Sequence, residues 1–482
     1  MLSSLKVNPA AARMACGAAT RHRRLSSWAK ALSFAITLAL FCALCCEVSA
    51  LEIGNFLPGG RNMDAMARFA SVKALEALQR AIDDPELQIK VMSALMRTTD
   101  GFDMCQSALY RCNSVTGALE EAVIKDMRNG TVKWSEYPKS VKRIRITDSR
   151  LSQPLVLSSL PANLEEFLAT NVEWQSNSIL QNPPSDANSI TNGGLAQLHV
   201  LQCNQCALVK AEVTTTSPQL ASLHVLSLSD NPNLTVDLRD LPRTLHSLEL
   251  SHTQLVHPTA KEVLKAAPAF LSRLNISFTG VALTFDMLRF ASAQLKMLDV
   301  SGLGSGDPKS PLSASQLQKV CSERDLNPEE LYLTSCNLTG ILPDLRNCAK
   351  LKVIDASHNL LEGAAFAELP KMIESLHLNN NAMQGTLRTQ ELPRTLRFLD
   401  LSANQFTGQL NLSELPKKLE YFDISHNRFT GNVNLTQLPE PIKYVFIQHN
   451  NFTGVADLID ISLGIRYIMI HHNNWDYRMP AP

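Results

Sequence analysis

The chain has 482 residues, 45% of them hydrophobic and only 19% charged, which is enough apolar matter to bury a large core and too little charge for a disordered polymer. Lys plus Arg number 45 and Asp plus Glu 45, so there is no basic field to gather a nucleic acid and no acidic block to act as a solvating tail. Nucleic acid is therefore not an expected partner.

At the amino terminus, Arg21, Arg23, Arg24 and Lys30 precede the apolar run ALSFAITLALFCALCC, which ends at Val48-Ser49-Ala50. Basic segment, apolar run and small-residue site stand in the order of a secretory signal peptide, which predicts a leader over residues 1–50 with cleavage after Ala50. The run is shorter than the roughly 20 residues of a bilayer span. The alternative is an uncleaved signal anchor, suggested by the long basic segment, and only then does the chain belong to a membrane. No second spanning stretch follows, and the tail DYRMPAP lacks the apolar segment of a lipid-anchor signal. The expected location is secreted or cell-surface.

Four of the eleven cysteines lie in the leader, leaving Cys105, Cys112, Cys203, Cys206, Cys321, Cys336 and Cys348, an odd number with at least one unpaired or paired between chains. Sequons stand at Asn129, Asn233, Asn275, Asn337, Asn411, Asn434 and Asn451, and become glycosylation sites if the leader works. Residues 51–140 form a region of their own, in which ALEALQRAIDDPELQIKVMSALM reads as helical.

From residue 141 the chain repeats itself. YFDISHNRFTG returns one period later as YVFIQHNNFTG, and with the first apolar residue of each unit as position 1 the pattern is LxxLxLSxNxFTG followed by a polar stretch and Leu-Pro. Clear units start at Leu351, Ile373, Leu396, Leu419, Ile442 and Ile465, spaced by 22 or 23 residues. Looser copies start at Val141, Leu164, Leu195, Leu223, Leu245, Leu271, Leu295 and Pro328, for about fourteen units over residues 141–482. The longer gaps hold insertions, among them the polar QSNSILQNPPSDANSITNGG and the helix-like TAKEVLKAAPAFL and SASQLQKVCSERD.

Apolar positions 4 and 6 flank an outward position 5, so each unit predicts one short strand, with neighbouring strands aligned in parallel. The sharp turn that follows leaves backbone donors and acceptors away from water, and an amide side chain can satisfy both kinds. Asn359, Asn381, Asn404, Asn427, Asn450 and Asn473 occupy that place in six consecutive units. Upstream it is filled by Asn231, Cys203, Cys336, Thr253 and Thr279.

These apolar and asparagine positions resemble the leucine-rich repeat. The unit NLTGILPDLRNCAKL resembles the subclass of plant extracellular receptors and kinetoplastid surface proteins, although most units lack its Ile-Pro after the glycine. The resemblance implies an α/β solenoid, a horseshoe with a parallel sheet on its concave face, closed by a helical N-terminal cap. In that subclass the cap ends in two cysteines, and CQSALYRC places Cys105 and Cys112 at the matching spacing, which implies a disulfide between them; the Trp and Gly-Val usual between them are absent. A cap covers the apolar core and open strand edge of the first unit.

Cys203-Asn204-Gln205-Cys206 has knuckle spacing but no second ligand pair nearby, so Cys203 reads as a buried thiol at the Asn position and no metal is expected. His252, His358, His426, His449 and His472 all stand at position 8, read as a favoured spelling of the turn. Asp355, Asp400 and Asp423 at position 5 belong to an LDLS-type pattern that lines a surface. No nucleophile elbow, phosphate loop, zinc-protease helix or calcium loop occurs, so neither enzyme activity nor a cofactor is expected.

What remains is a binding solenoid for a protein or glycan ligand, with a structural coat or adhesion glycoprotein as the alternative. Position 3 holds Phe398, Tyr421, Tyr444 and Tyr467 in four successive units, which predicts a row of rings on the sheet. Arg397, Lys443 and Arg466 border it at position 2, and Phe446 and Met469 continue it at position 5. These nine residues are the candidate ligand site. Self-association through the C-terminal edge is also expected, because little chain follows the last unit to cover it.

Overall fold

The structure, a computed structural model, describes residues 110–476 apart from 133, 135, 136, 175–178, 181–194, 212–219, 258, 286–293, 307–310, 321–327, 365, 457, 459, 460 and 462. The leader, its cleavage site, Cys105 and the expected helices of the cap lie outside the described residues. Contacts divide the chain into two units, residues 1–153 and 154–482.

In the first unit, the described part of the cap region forms the strands Tyr110–Cys112, Leu119–Lys125 and Arg128–Gly130. Leu119–Lys125 pairs antiparallel with Tyr110–Cys112 and parallel with Arg143–Leu151. The buried Glu121 carboxylate lies 3.6–3.7 Å from the guanidinium groups of Arg111, Arg143 and Arg145. Cys112 is disulfide-bonded.

The second unit is the solenoid that the repeat predicts, with thirteen parallel strands among the described residues, one per turn, from Glu166–Trp174 to Tyr467–Met469. In the regular half these strands have three residues, the central one buried and its neighbours half-buried, as a two-residue alternation requires. Their register is uniform: Leu376, Leu399, Phe422, Val445 and Ile468, all at position 4, pair in succession. The opposite side is built from a second set of parallel strands, such as Gln405–Gly408, Arg428–Asn432 and Asn451–Gly454, and from single 3-10 turns. Among the described residues helix is scarce; Ala260–Ala266, capped by Thr259, falls in one helix-like insertion, and a 3-10 stretch, Ala314–Lys319, in the other.

Register corrects one unit start. Leu201 pairs with Phe167 and Leu226, so it holds position 4 and its unit begins at Leu198, three residues after Leu195. The Asn position of that turn is therefore Cys206. Nor is Cys203 a thiol: it forms a disulfide with Cys206, Cα to Cα 5.7 Å. Cys336 does remain a buried thiol, its pKa pushed up to about 12 by burial.

The asparagine column works as the repeat requires. Asn427 Nδ2 donates to the Leu401 carbonyl of the preceding turn at 2.9 Å and to Ile424 and Ser425 of its own, while its Oδ1 accepts from the Phe406 N–H at 3.0 Å. Asn359, Asn381, Asn404, Asn450 and Asn473 repeat this pattern of bonds. Thr253 makes one bond only, to the Leu250 carbonyl.

Two further columns define each turn. Behind the asparagines, Phe406, Phe429, Phe452 and Trp475 stack at 6.0–6.1 Å through the core. The glycine of FTG has φ of +87° at Gly408, where a Cβ would approach the Thr386 side chain to 2.8 Å. Position 8 is left-handed in every turn, at Asn171, Gln205, Asp230, His252, Phe278, Gly302, Ser335, His358, Asn380, Ala403, His426, His449 and His472. Asn, Asp and His are the non-glycine residues most at home there, which accounts for the recurrent SHN.

Candidate binding surface

The thirteen-strand sheet presents positions 2, 3, 5 and 7 on its outer side. The structure places Phe398, Tyr421, Tyr444 and Tyr467 directly opposite one another on four adjacent strands. Phe398 and Tyr421 lie flat on each other at 4.1 Å and 8°, with His377 stacked on Phe398 at 4.3 Å. Tyr421 and Tyr444 are tilted at 6.0 Å, and Tyr421 also meets Phe446 at 5.5 Å. The first three rings are half-buried, and Tyr467 is 58% exposed. Phe446 and Met469, paired on adjacent strands, are half-buried beside them.

Below the rings, Asp355, Asp400 and Asp423 do not point freely into solvent. Each Oδ1 accepts from the N–H and the hydroxyl of the serine two residues on, Ser357, Ser402 or Ser425, at 2.6–3.0 Å. This bond explains the DxS spelling, whose purpose the sequence alone does not disclose. Burial raises the Asp423 pKa above the carboxylate norm. Burial, followed by the charges of Asp423 and Asp400, holds the Tyr421 phenol well above its ordinary value, so it is a neutral donor.

The border is less cationic than its spelling. Glu420 receives Arg397 from one side and Lys443 from the other. Side-chain hydrogen bonds from these two cations lower the Glu420 pKa. Arg466 makes no ion pair among the described residues. Arg397 and Glu420 also help line a groove of about 430 Å³ with Met372, Glu374, Thr395, Lys418 and Pro441.

Position 2 is ordered in two runs. From Lys296 the residues run Lys296, Glu329, Lys352, Glu374, Arg397, Glu420, Lys443 and Arg466, opposite charges alternating until the last pair. Glu329 lies 3.8 Å from Lys296 and 2.8 Å from Lys352. Upstream, the same position carries His199, His224 and His246, rings 5.3 and 5.0 Å apart. Burial first, then its two neighbours, lowers the pKa of His224. Both runs were missed by reading units singly; aligning position 2 down the column would have found them.

Of the sequons, Asn129, Asn233, Asn337, Asn411, Asn434 and Asn451 are exposed, whereas Asn275 lies half-buried within the sheet. Asn411 and Asn434 also cap 3-10 turns, accepting from the backbone of Ser413 and Thr436. Among the described residues no helix is long and apolar enough to cross a membrane.

No protein-family model matches this sequence, and no curated protein does. Solved structures do. The Arabidopsis receptor kinase HAESA, in complex with the peptide hormone IDA and the co-receptor SERK1, is similar at a TM-score of 0.50 and 18% identity, over 80% of this chain and 63% of its own. A leucine-rich repeat protein of Leptospira interrogans is similar at a TM-score of 0.48 and 18% identity, over 73% of this chain and 85% of its own. YopM of Yersinia enterocolitica follows at 0.44 and 18%, over 74% and 70%. The present chain thus spans less than two thirds of the HAESA chain, and the fold they share is the leucine-rich repeat solenoid.

Proposed function

We propose that this chain is an exported leucine-rich repeat protein that takes an extended protein or peptide segment on its main sheet. The site is the row Phe398, Tyr421, Tyr444 and Tyr467, with Phe446 and Met469 beside it and Arg397, Lys443 and Arg466 at its border. One observation carries the reading: four rings share one register position on four hydrogen-bonded strands, and the row becomes most exposed at Tyr467, next to Arg466, which has no ion pair among the described residues. Rings supply large contact area at little conformational cost, and guanidinium groups add charge-assisted bonds. That HAESA was solved with a peptide hormone and a co-receptor supports a protein ligand over a glycan. Export rests on the order of basic segment, apolar run and Ala50 and on the sequons.

The flat contact of Phe398 on Tyr421 favours a second reading, in which the row only staples neighbouring turns of a surface-coat glycoprotein. Changing Tyr421 and Tyr444 together to Ser separates the two. Proximity labelling on the producing cell should lose its partners in the variant while the melting temperature holds. Labelling that survives alongside a lower melting temperature makes the row structural.

We also read the flank of the last described turn as an edge for self-association. Ile465, Ile468 and Ile470 are half-buried there, whereas Ile442, Val445 and Ile447 one turn earlier are closed off. Sedimentation as a sharp monomer at high concentration would count against it.

A further inference from the structure

Away from the ring row, the last turns bring four imidazoles together. His426, His449 and His472 stand at position 8 of three consecutive turns with φ of 53–54°, and their rings lie face to face at 4.2 Å. His471, the position-7 residue just beyond the strand Tyr467–Met469, meets His449 and His472 edge-on, at 5.4 and 4.8 Å. One ring nitrogen from each of His449, His471 and His472 lies within 4.8 Å of the other two. The Nδ1 atoms of His471 and His472 stand 2.5 Å apart.

Two imidazole nitrogens that face each other need a proton or a cation between them, since two lone pairs repel. Three neutral imidazoles with no carboxylate in the set suit the borderline divalent ions and not calcium or magnesium, which take oxygen ligands. We propose that His449, His471 and His472 form a binding site for a divalent transition metal, Zn²⁺ or its neighbours Cu²⁺ and Ni²⁺, with a fourth coordination position left open. Zinc–nitrogen bonds of about 2.0–2.1 Å put tetrahedral ligand nitrogens about 3.4 Å apart, so ring rotations on the order of 1 Å close the site.

The backbone prepares two of the three ligands. Left-handed turns fix the stems of His449 and His472, and the turns are joined by the His449 N–H donating to the His471 carbonyl at 3.1 Å and the Asn450 N–H to that of His472 at 3.2 Å. His471 is exposed and free to make the adjustment. Because His449 belongs to one turn and the other two to the next, a bound ion ties the two turns together through side chains. His252 and His358 hold the same position elsewhere without a second imidazole: His252 stacks on Phe278 at 4.6 Å and His358 faces Asn380. The assignment is independent of what the ring row binds.

The test is calorimetric titration of the chelator-stripped full chain with Zn²⁺, together with the electron paramagnetic resonance spectrum of the Cu²⁺ form. One ion per chain, nitrogen hyperfine structure from imidazole and a rise in melting temperature with excess Zn²⁺ are expected. His449→Asn and His472→Asn preserve the turn, because Asn380 fills the same left-handed position naturally. Each of these, and His471→Gln, should weaken binding at least tenfold; the triple variant should lose it and the thermal shift, and His358→Asn should change neither. Substoichiometric binding, or a triple variant that binds as the wild type does, overturns the assignment.

Discussion

Asn404 bonds two turns at once: its Nδ2 donates to the Leu378 carbonyl of the preceding turn at 2.9 Å, and its Oδ1 accepts from the Met383 N–H of that same turn at 3.0 Å. Asn404→Ala removes both and strands buried backbone groups, at a cost of about 1–3 kcal/mol by chemical denaturation. Asn404→Thr should lose less, because Thr253 shows a hydroxyl bonding the carbonyl three residues back at 2.7 Å.

A left-handed backbone at position 8 separates substitutions that composition treats alike. His426, with φ of 53°, should tolerate Asn or Gly with little change in stability. His426→Val puts a β-branched residue into that conformation and should cost about 1–2 kcal/mol. Equal stabilities for the Asn and Val variants would show that the turn yields to the side chain.

Acid should weaken the fold from the histidines first. Burial lowers the pKa of His377 below its ordinary 6.5, against the opposing pull of Asp355 and Asp400. Burial followed by His426, His472 and His471 lowers that of His449. The unfolded chain then takes up these protons more readily than the folded one, so the contribution of these histidines is flat above pH 6.5 and turns against the fold as pH drops through it. Asp299 and Asp423, raised by burial, are protonated first in the folded state and offset the loss as pH nears the ordinary 3.8. Melting curves across this range check the slope. His377→Phe, which keeps a ring on Phe398, should flatten it.

Passage through a secretory pathway should place glycans on Asn411 and Asn434, whose amides are exposed and whose Oδ1 atoms are occupied by Ser413 and Thr436. Asn275 is half-buried in the strand Arg273–Asn275, in register between Glu249 and Asp299 of the two neighbouring strands, and should stay bare. Site mapping after enzymatic deglycosylation reads all three, and an occupied Asn275 would mean that glycosylation precedes closure of that strand.

Much of this was readable because a solenoid converts sequence period into spatial adjacency. The asparagine column and the ring row needed only correct alignment of positions 9 and 3. Alignment slipped at Leu195, since Leu195 and Leu198 are both apolar, both buried and three residues apart; only the pairing of Leu201 with Phe167 decides between them. Position 8 could not be read as a conformational demand, because Asn, Gln, Asp, His, Phe, Ser, Gly and Ala all meet it. Nor could the meeting of His471 with His449, since they hold different positions in their units. The bonding of Glu420 to both Arg397 and Lys443 likewise belongs to the stacked turns and to no single unit.

Near-identical turns create a hazard that the charges of position 2 address. Successive turns of an array can each pack on the wrong copy, and misassembly is a characteristic failure of repeat proteins. Individually these surface pairs contribute little stability. Their order matters more than their strength: omit one turn from the stack, and Lys352 would lie beside Arg397, and Glu374 beside Glu420. From Glu329 to Glu420, omission of any single turn sets like charges opposite one another, at roughly 0.2–1 kcal/mol for each directly opposed pair. The alternating column thus acts as a parity check against the loss of any single turn between Glu329 and Glu420.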